Sequence, residues 1–160
     1  MSWRMRIAVI GASGWLGGAV AREALARGHE VTAVGRDEAK LRAIEGAEIA
    51  VADVDDDESL RRAVAGHDVV VSSVTDRVSA DRSIIPRTAR TLLRVLPTAG
   101  VGRLAVVGGG GSLEPEPGVR GIDRPDFPEQ YRAEAEGQAE ALDVLRNADT
   151  EQSNRVAPVG

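Results

Sequence analysis

Short, nearly all-apolar runs alternate along this chain with longer stretches whose apolar positions recur at helical spacing. The runs at 6–10, 30–34, 48–51, 68–74 and 103–107 have the length of strands. The run at 68–74 is mostly valine, the composition of a strand covered on both faces. Helical periodicity occupies 15–26, 37–44, the stretch from the acidic run 55–58 to about Gly66, then 83–96 and 129–147. Gly28 stops the first of these helices, and Asp37 stands where the second needs an N-cap. Pro86 is tolerable in the fourth because it falls in the first turn, and Pro97 with Gly100 closes it. Strand and helix in strict alternation predict an α/β fold, a doubly wound parallel sheet of about five strands in the order 3-2-1-4-5, with helices on both faces. Residues 108–128 read as a Gly- and Pro-rich loop. Residues 1–149 are expected to form one domain and 150–160 a polar tail with a weak strand signal at 155–159. Pro158 cannot donate to a ladder, so the tail is expected to pair poorly. Strand five would then keep an open edge, which favours self-association.

The first strand runs directly into Gly11-Ala12-Ser13-Gly14-Trp15-Leu16-Gly17 and then into a helix. Glycines three apart at this junction let backbone N–H groups approach a pyrophosphate, and the helix N-terminus adds partial positive charge there. The spacing alone is weak in a chain with 18 glycines; its strand–turn–helix–strand setting is what makes it a dinucleotide-binding, Rossmann-type signal. Gly11, Gly14 and Gly17 supply the turn, while Ser13 and the backbone of Trp15 and Leu16 face the phosphates. Trp15 has two compatible readings, an apolar anchor for the helix or a cofactor contact. Arg36 follows the second strand, where an acidic residue would bind the ribose of NAD. A guanidinium there suits the 2′-phosphate of NADP instead, so NADP(H) is expected over NAD(H). The acids at 55–58 read as helix-capping residues rather than a metal site. Ser72, Ser73 and Val74 end the fourth strand beside the crevice where chain order reverses.

At 160 residues, 42% hydrophobic and 28% charged, the chain has an ordinary globular composition. A net charge of −5 offers no basic surface to nucleic acid or acidic lipid. There are no cysteines, which excludes disulfides, thiol catalysis and cysteine zinc sites. His29 and His67 are the only imidazoles, and they are not expected to converge on a metal or acid–base site. The arginines and small apolar residues at the start imitate a secretory leader, but the glycines at 11–18 suit phosphate binding better. No run reaches the length of a membrane span, and a cytoplasmic location is expected. Lys40 is the sole lysine and Tyr131 the sole tyrosine, so any Tyr–Lys mechanism must use that pair. No G-x-S-x-G elbow and no P-loop is present.

The stretches GASGWLG, VGRD at 34–37, VADVDD at 51–56, VVVSSV at 69–74, LAVVGGGGSL at 104–113 and PDFPEQY at 125–131 carry a resemblance. The chain resembles the atypical short-chain dehydrogenase/reductases of the NAD(P)H-binding group that includes NmrA-like proteins and biliverdin IXβ reductase. The resemblance implies that Asp53 meets the adenine amino group and that Val54 and Gly108 join the cofactor-binding set. It also implies that the backbone at Ser72–Val74 contacts the ribose and nicotinamide side. Ser112 and Tyr131 are the candidate catalytic hydroxyls. Ser112 equally suits a turn residue, and Tyr131 is followed four residues later by Ala135, so the Tyr-x-x-x-Lys pair is absent. The family pattern continues past the last helix into a sixth strand and further pocket residues. The run TEQSNRVAPVG is instead read as a C-terminal truncation. The expected activity is NADPH-dependent hydride transfer to a small conjugated acceptor such as a flavin or quinone. The alternative is a non-catalytic NADP-binding regulator.

Overall fold

The computed structural model describes residues 3–75, 81–148 and 156–159. In chain order the elements are β1 (Arg6–Ile10), α1 (Trp15–Ala26), β2 (Glu30–Gly35), α2 (Glu38–Leu41), β3 (Glu48–Val51), α3 (Asp57–Val64) and β4 (Val69–Ser72). Then come α4 (Ile84–Thr98), β5 (Leu104–Val107), α5 (Arg132–Arg146) and β6 (Val156–Val159). The sheet is parallel throughout, in the order β3-β2-β1-β4-β5-β6. The predicted 3-2-1-4-5 order is therefore present, with one strand added at its edge. Chain order reverses between β1 and β4, and the carboxyl ends of those strands flank a crevice.

Alternate residues of β1 serve opposite layers, as the two-residue strand period requires. Ala8 and Ile10 join Val70, Leu104, Leu60, Leu92 and Leu145 beneath α3, α4 and α5. Ile7 and Val9 join Ala21, Ala33, Leu41 and Ile44 beneath α1 and α2. His67 ties the end of α3 to β2 at the amino end of the sheet. Val64 O can only accept, so Nδ1 carries the proton to it at 2.9 Å, and Nε2 meets Thr32 Oγ1 at 2.8 Å.

Several boundaries differ from the sequence reading. Pro97 lies inside the last turn of α4 rather than closing it. The Ala99 N–H still reaches Val95 O at 3.1 Å, and Gly100, at φ +72°, takes the left-handed conformation that ends the helix. The 108–128 segment contains single 3₁₀ turns at Gly110–Ser112 and Gly121–Asp123, and a third turn, Glu129–Tyr131, precedes α5. The poorly paired tail is overturned. Val156–Val159 lies parallel to β5, with Leu104 opposite Val156 and Val107 opposite Val159, so β5 is covered on both sides. Proline is compatible with this strand because an edge strand has a ladder on one side only, and an N–H missing from the other side costs no hydrogen bond. Among the described residues, no helix is long and apolar enough to cross a membrane.

Candidate functional site

A cavity of about 620 Å³ opens at the carboxyl ends of the strands, within the usual size of small-molecule sites. One side is the β1–α1 turn. Gly11 adopts φ +80°, and a Cβ there would lie 2.7 Å from Ser73 O, so only glycine lets this turn close against the end of β4. A Cβ on Gly17 would overlap the carbonyl oxygen of Gly11, so α1 can begin this close to the turn only without a side chain. Gly14 is the N-cap and supplies no side-chain acceptor. Its carbonyl takes the Gly18 N–H at 2.9 Å, and the first-turn N–H groups before it have no acceptor within the helix. No acidic residue occupies that first turn. The result is an uncapped helix start beside a Gly-lined cradle, a fit for a pyrophosphate.

Of the residues singled out from the sequence, Gly11, Ser13, Gly14, Trp15, Leu16, Arg36, Val54, Ser73, Val74, Gly108 and Tyr131 line this one cavity. Arg36 is exposed and makes no ion pair among the described residues. Gly17 lies beneath the wall, in the packing contact just given. Ser72 is 3% exposed inside β4, opposite Ile10, and is not on the wall; strand alternation sends Ser73 to the cavity and Ser72 into the sheet. Asp53 also lies off the wall, between two lining residues, and its Oδ1 accepts the Asp55 N–H at 3.0 Å. Ser112 is not a lining residue. Its hydroxyl donates to Gly109 O at 3.0 Å within the 3₁₀ turn, which is the turn role. Lys40 sits on α2 with its Nζ 3.5 Å from Asp37 and does not line the cavity with Tyr131. Trp15 is 85% exposed, which overturns the anchor reading and leaves its ring at the cavity mouth.

Of the opposite wall, the sequence reading picks out only Tyr131. One face of α5 and the turn before it presents Tyr131, Glu134, Ala135 and Gln138 to the cavity, at intervals of three and four residues. Exposure falls along this face from Tyr131, at 55%, to Gln138, at 8%. Phe127 joins them, so three of the chain's four aromatic residues surround one cavity. The Oε1 of Gln138 is buried and has no hydrogen-bond partner among the described residues. The spacing was legible, but a polar residue in a charged helix reads as solvent-facing until the helix is docked.

The acidic run does what capping predicts. Asp56 accepts the N–H groups of Glu58 and Ser59 at the start of α3. Asp55 pairs with Arg87 at 2.6 Å and Asp57 with Arg94 at 2.6 Å. The hydrogen bonds from Arg94 hold the Asp57 carboxyl below the usual carboxylate range, and Arg61 does the same for Glu58. The two histidines both line an open cavity at the amino end of the sheet. His29 Nδ1 accepts from the Met5 N–H and His67 is tied as described, so both imidazoles have structural duties there. Among the described residues no group of three or more potential ligands could hold a metal.

Residues 11–151 match a protein family described as NAD(P)H-binding. The uncharacterised Bacillus subtilis protein YwnB is 34% identical over 148 residues, covering 91% of this chain and 68% of its own length. A "putative NADH-flavin reductase" from Streptococcus pneumoniae superposes with a TM-score of 0.79 at 33% identity, over 96% of this chain and 69% of its own. A "putative exported protein" from Burkholderia pseudomallei superposes at 0.80 with 35% identity, over 91% and 68%.

Proposed function

The chain belongs to the NAD(P)H-binding family of atypical short-chain dehydrogenase/reductase-like proteins, and on that premise we propose that it is an NADPH-dependent reductase of small, flat, conjugated acceptors. The observation that carries this reading is the make-up of the cavity at the carboxyl ends of the strands, with a Gly-built phosphate cradle on one side and an aromatic-rimmed wall on the other. The backbone of the β1–α1 turn holds the pyrophosphate, and Arg36 receives the 2′-phosphate through charge-assisted hydrogen bonds. Bound NADPH supplies the hydride. Trp15, Phe127 and Tyr131 bring three aromatic side chains to the cavity for a planar acceptor, for which offset or edge contacts are favourable. Ser112 is engaged with Gly109 and Tyr131 has no lysine beside it, so the proton that completes the reduction comes from water. Flavins and quinones tolerate this, because their reduced forms are stabilised by conjugation. The Streptococcus pneumoniae relative described as a flavin reductase supports the same acceptor class.

The test is titration of the protein with NADPH, NADP⁺, NADH and NAD⁺, followed by NADPH oxidation with a panel of flavins and quinones. Tighter binding of the phosphorylated pair and acceptor-dependent oxidation are expected. Binding without oxidation of any acceptor would instead assign a non-catalytic, dinucleotide-sensing role, which the tied Ser112 and lysine-free Tyr131 also accommodate.

A further inference from the structure

Gln138 is a buried polar residue of the cavity wall, and the oxygen of its amide is unused by the described residues. It is 8% exposed, its Oε1 is buried, and that oxygen has no hydrogen-bond partner among the described residues. Buried polar atoms in folded proteins nearly always find partners, so one that does not, on the wall of a ligand cavity, points to a partner that arrives with the ligand. Its position is built rather than incidental. A Cβ on Gly109 would lie 3.2 Å from both Cβ and Cγ of Gln138, so the absence of a side chain at the β5 exit leaves room for the glutamine stem. The stem thus packs against Gly109, and Gly108, Gly109 and Gly110 line the same cavity as Gln138. A half turn about its last bond exchanges oxygen and nitrogen, so the group offers either an acceptor or a donor from one place.

The cavity has two ends. Arg36 and the uncapped start of α1 lie toward β2 and β1, where a 2′-phosphate and pyrophosphate are held. The ends of β4 and β5 lie across the switch point, and a dinucleotide laid over such a crevice places its second nucleoside there. That nucleoside carries N–H donors on its carboxamide and O–H donors on its ribose. We propose that Gln138 is a binding residue for the nicotinamide nucleoside, its buried amide accepting a hydrogen bond from that half of the dinucleotide. The proposal rests on the dinucleotide reading of the cavity given above.

The experiment compares the parent protein with Gln138→Met, which keeps the length of the side chain and removes the amide, by calorimetric titration with two ligands. One is NADPH; the other is adenosine 2′,5′-bisphosphate, which carries the phosphorylated adenosine end alone. The variant is expected to bind NADPH about tenfold more weakly, the scale of one lost hydrogen bond, and to bind the bisphosphate as the parent does. Its ligand-free melting temperature is expected to equal or exceed the parent's, since the protein itself makes no use of the oxygen. The 3-acetylpyridine analogue of the cofactor, which has a methyl in place of the amide nitrogen, separates the two donors. A preference for NADPH over the analogue that vanishes in the variant identifies the carboxamide, whereas an unchanged preference with the tenfold loss identifies the ribose. Unaltered NADPH affinity, equal losses for NADPH and the bisphosphate, or a ligand-free variant that melts well below the parent would each overturn the assignment. If the parent binds neither ligand, the dinucleotide reading fails; if it binds both and the variant matches it, only the role of Gln138 fails.

Discussion

Arg36 is exposed, lines the cavity and has no ion-pair partner among the described residues, so its removal leaves no buried charge behind. Arg36→Ala should therefore act on the ligand rather than the fold, weakening NADPH by about 1–3 kcal/mol while NADH barely changes. Equal losses for both cofactors would remove the 2′-phosphate assignment. Two glycines of the turn separate binding from folding. A Cβ on Gly14 meets only Gly11 O, at 3.3 Å, whereas one on Gly17 overlaps that same oxygen. Gly14→Val should stay folded by circular dichroism and lose dinucleotide binding, because its branches enter the phosphate cradle. Gly17→Ala should lower unfolding stability by roughly 2–3 kcal/mol in urea titration, the scale of forced overpacking. Tyr131→Phe should leave NADPH oxidation within about tenfold, since positioned acid–base catalysis carries a hundredfold or more. A collapse in turnover with intact cofactor affinity would make Tyr131 the acid after all.

The helices owe their starts to side chains near in sequence and their places to partners far from it. Asp37 accepts the Lys40 N–H at the start of α2, and Asp56 caps α3 through two N–H groups. Such local pairings are what a reading of adjacent residues can find. The bridge from Asp57 on α3 to Arg94 on α4 spans 37 residues and required the fold. It fixes a pH dependence. Because the folded Asp57 carboxyl titrates below its ordinary value of 3.8, its contribution is complete above that value and fades as pH falls through the lowered one. Side-chain carbonyl shifts should show Asp57 titrating low in the parent and returning toward the ordinary value in Arg94→Ala. Both groups are exposed, so the effect on overall stability should be small.

At the scale of the whole molecule, β6 changes what the sheet presents to solvent. With β5 paired on both sides, the outer edge is a short strand containing Pro158, a feature that discourages pairing with another chain. Amides of 156–159 that face β5 should exchange slowly with deuterium, together with those of β5. Removing 149–160 should uncover the β5 edge, speed exchange at Leu104–Val107 and increase self-association in sedimentation velocity. Fast exchange at both places in the intact chain would show that β6 is not a stable part of the sheet.

The βα order, the parallel sheet and the glycine turn between β1 and α1 were determined by the sequence itself, because each is written in neighbouring residues: strand length, helical period, caps, and three glycines at one junction. The tertiary structure alone decided the rest. It sent Ser73 to the cavity and Ser72 into the sheet by the register of β4 against β1. It left Trp15 at the cavity mouth, because the glycines and alanines of α1 do the packing that a tryptophan was free to avoid. It turned Gln138 inward with the docking of α5, and it brought 156–159 to β5 across about fifty residues of chain. These outcomes depend on which surfaces meet at long range, and no window of adjacent residues contains that information.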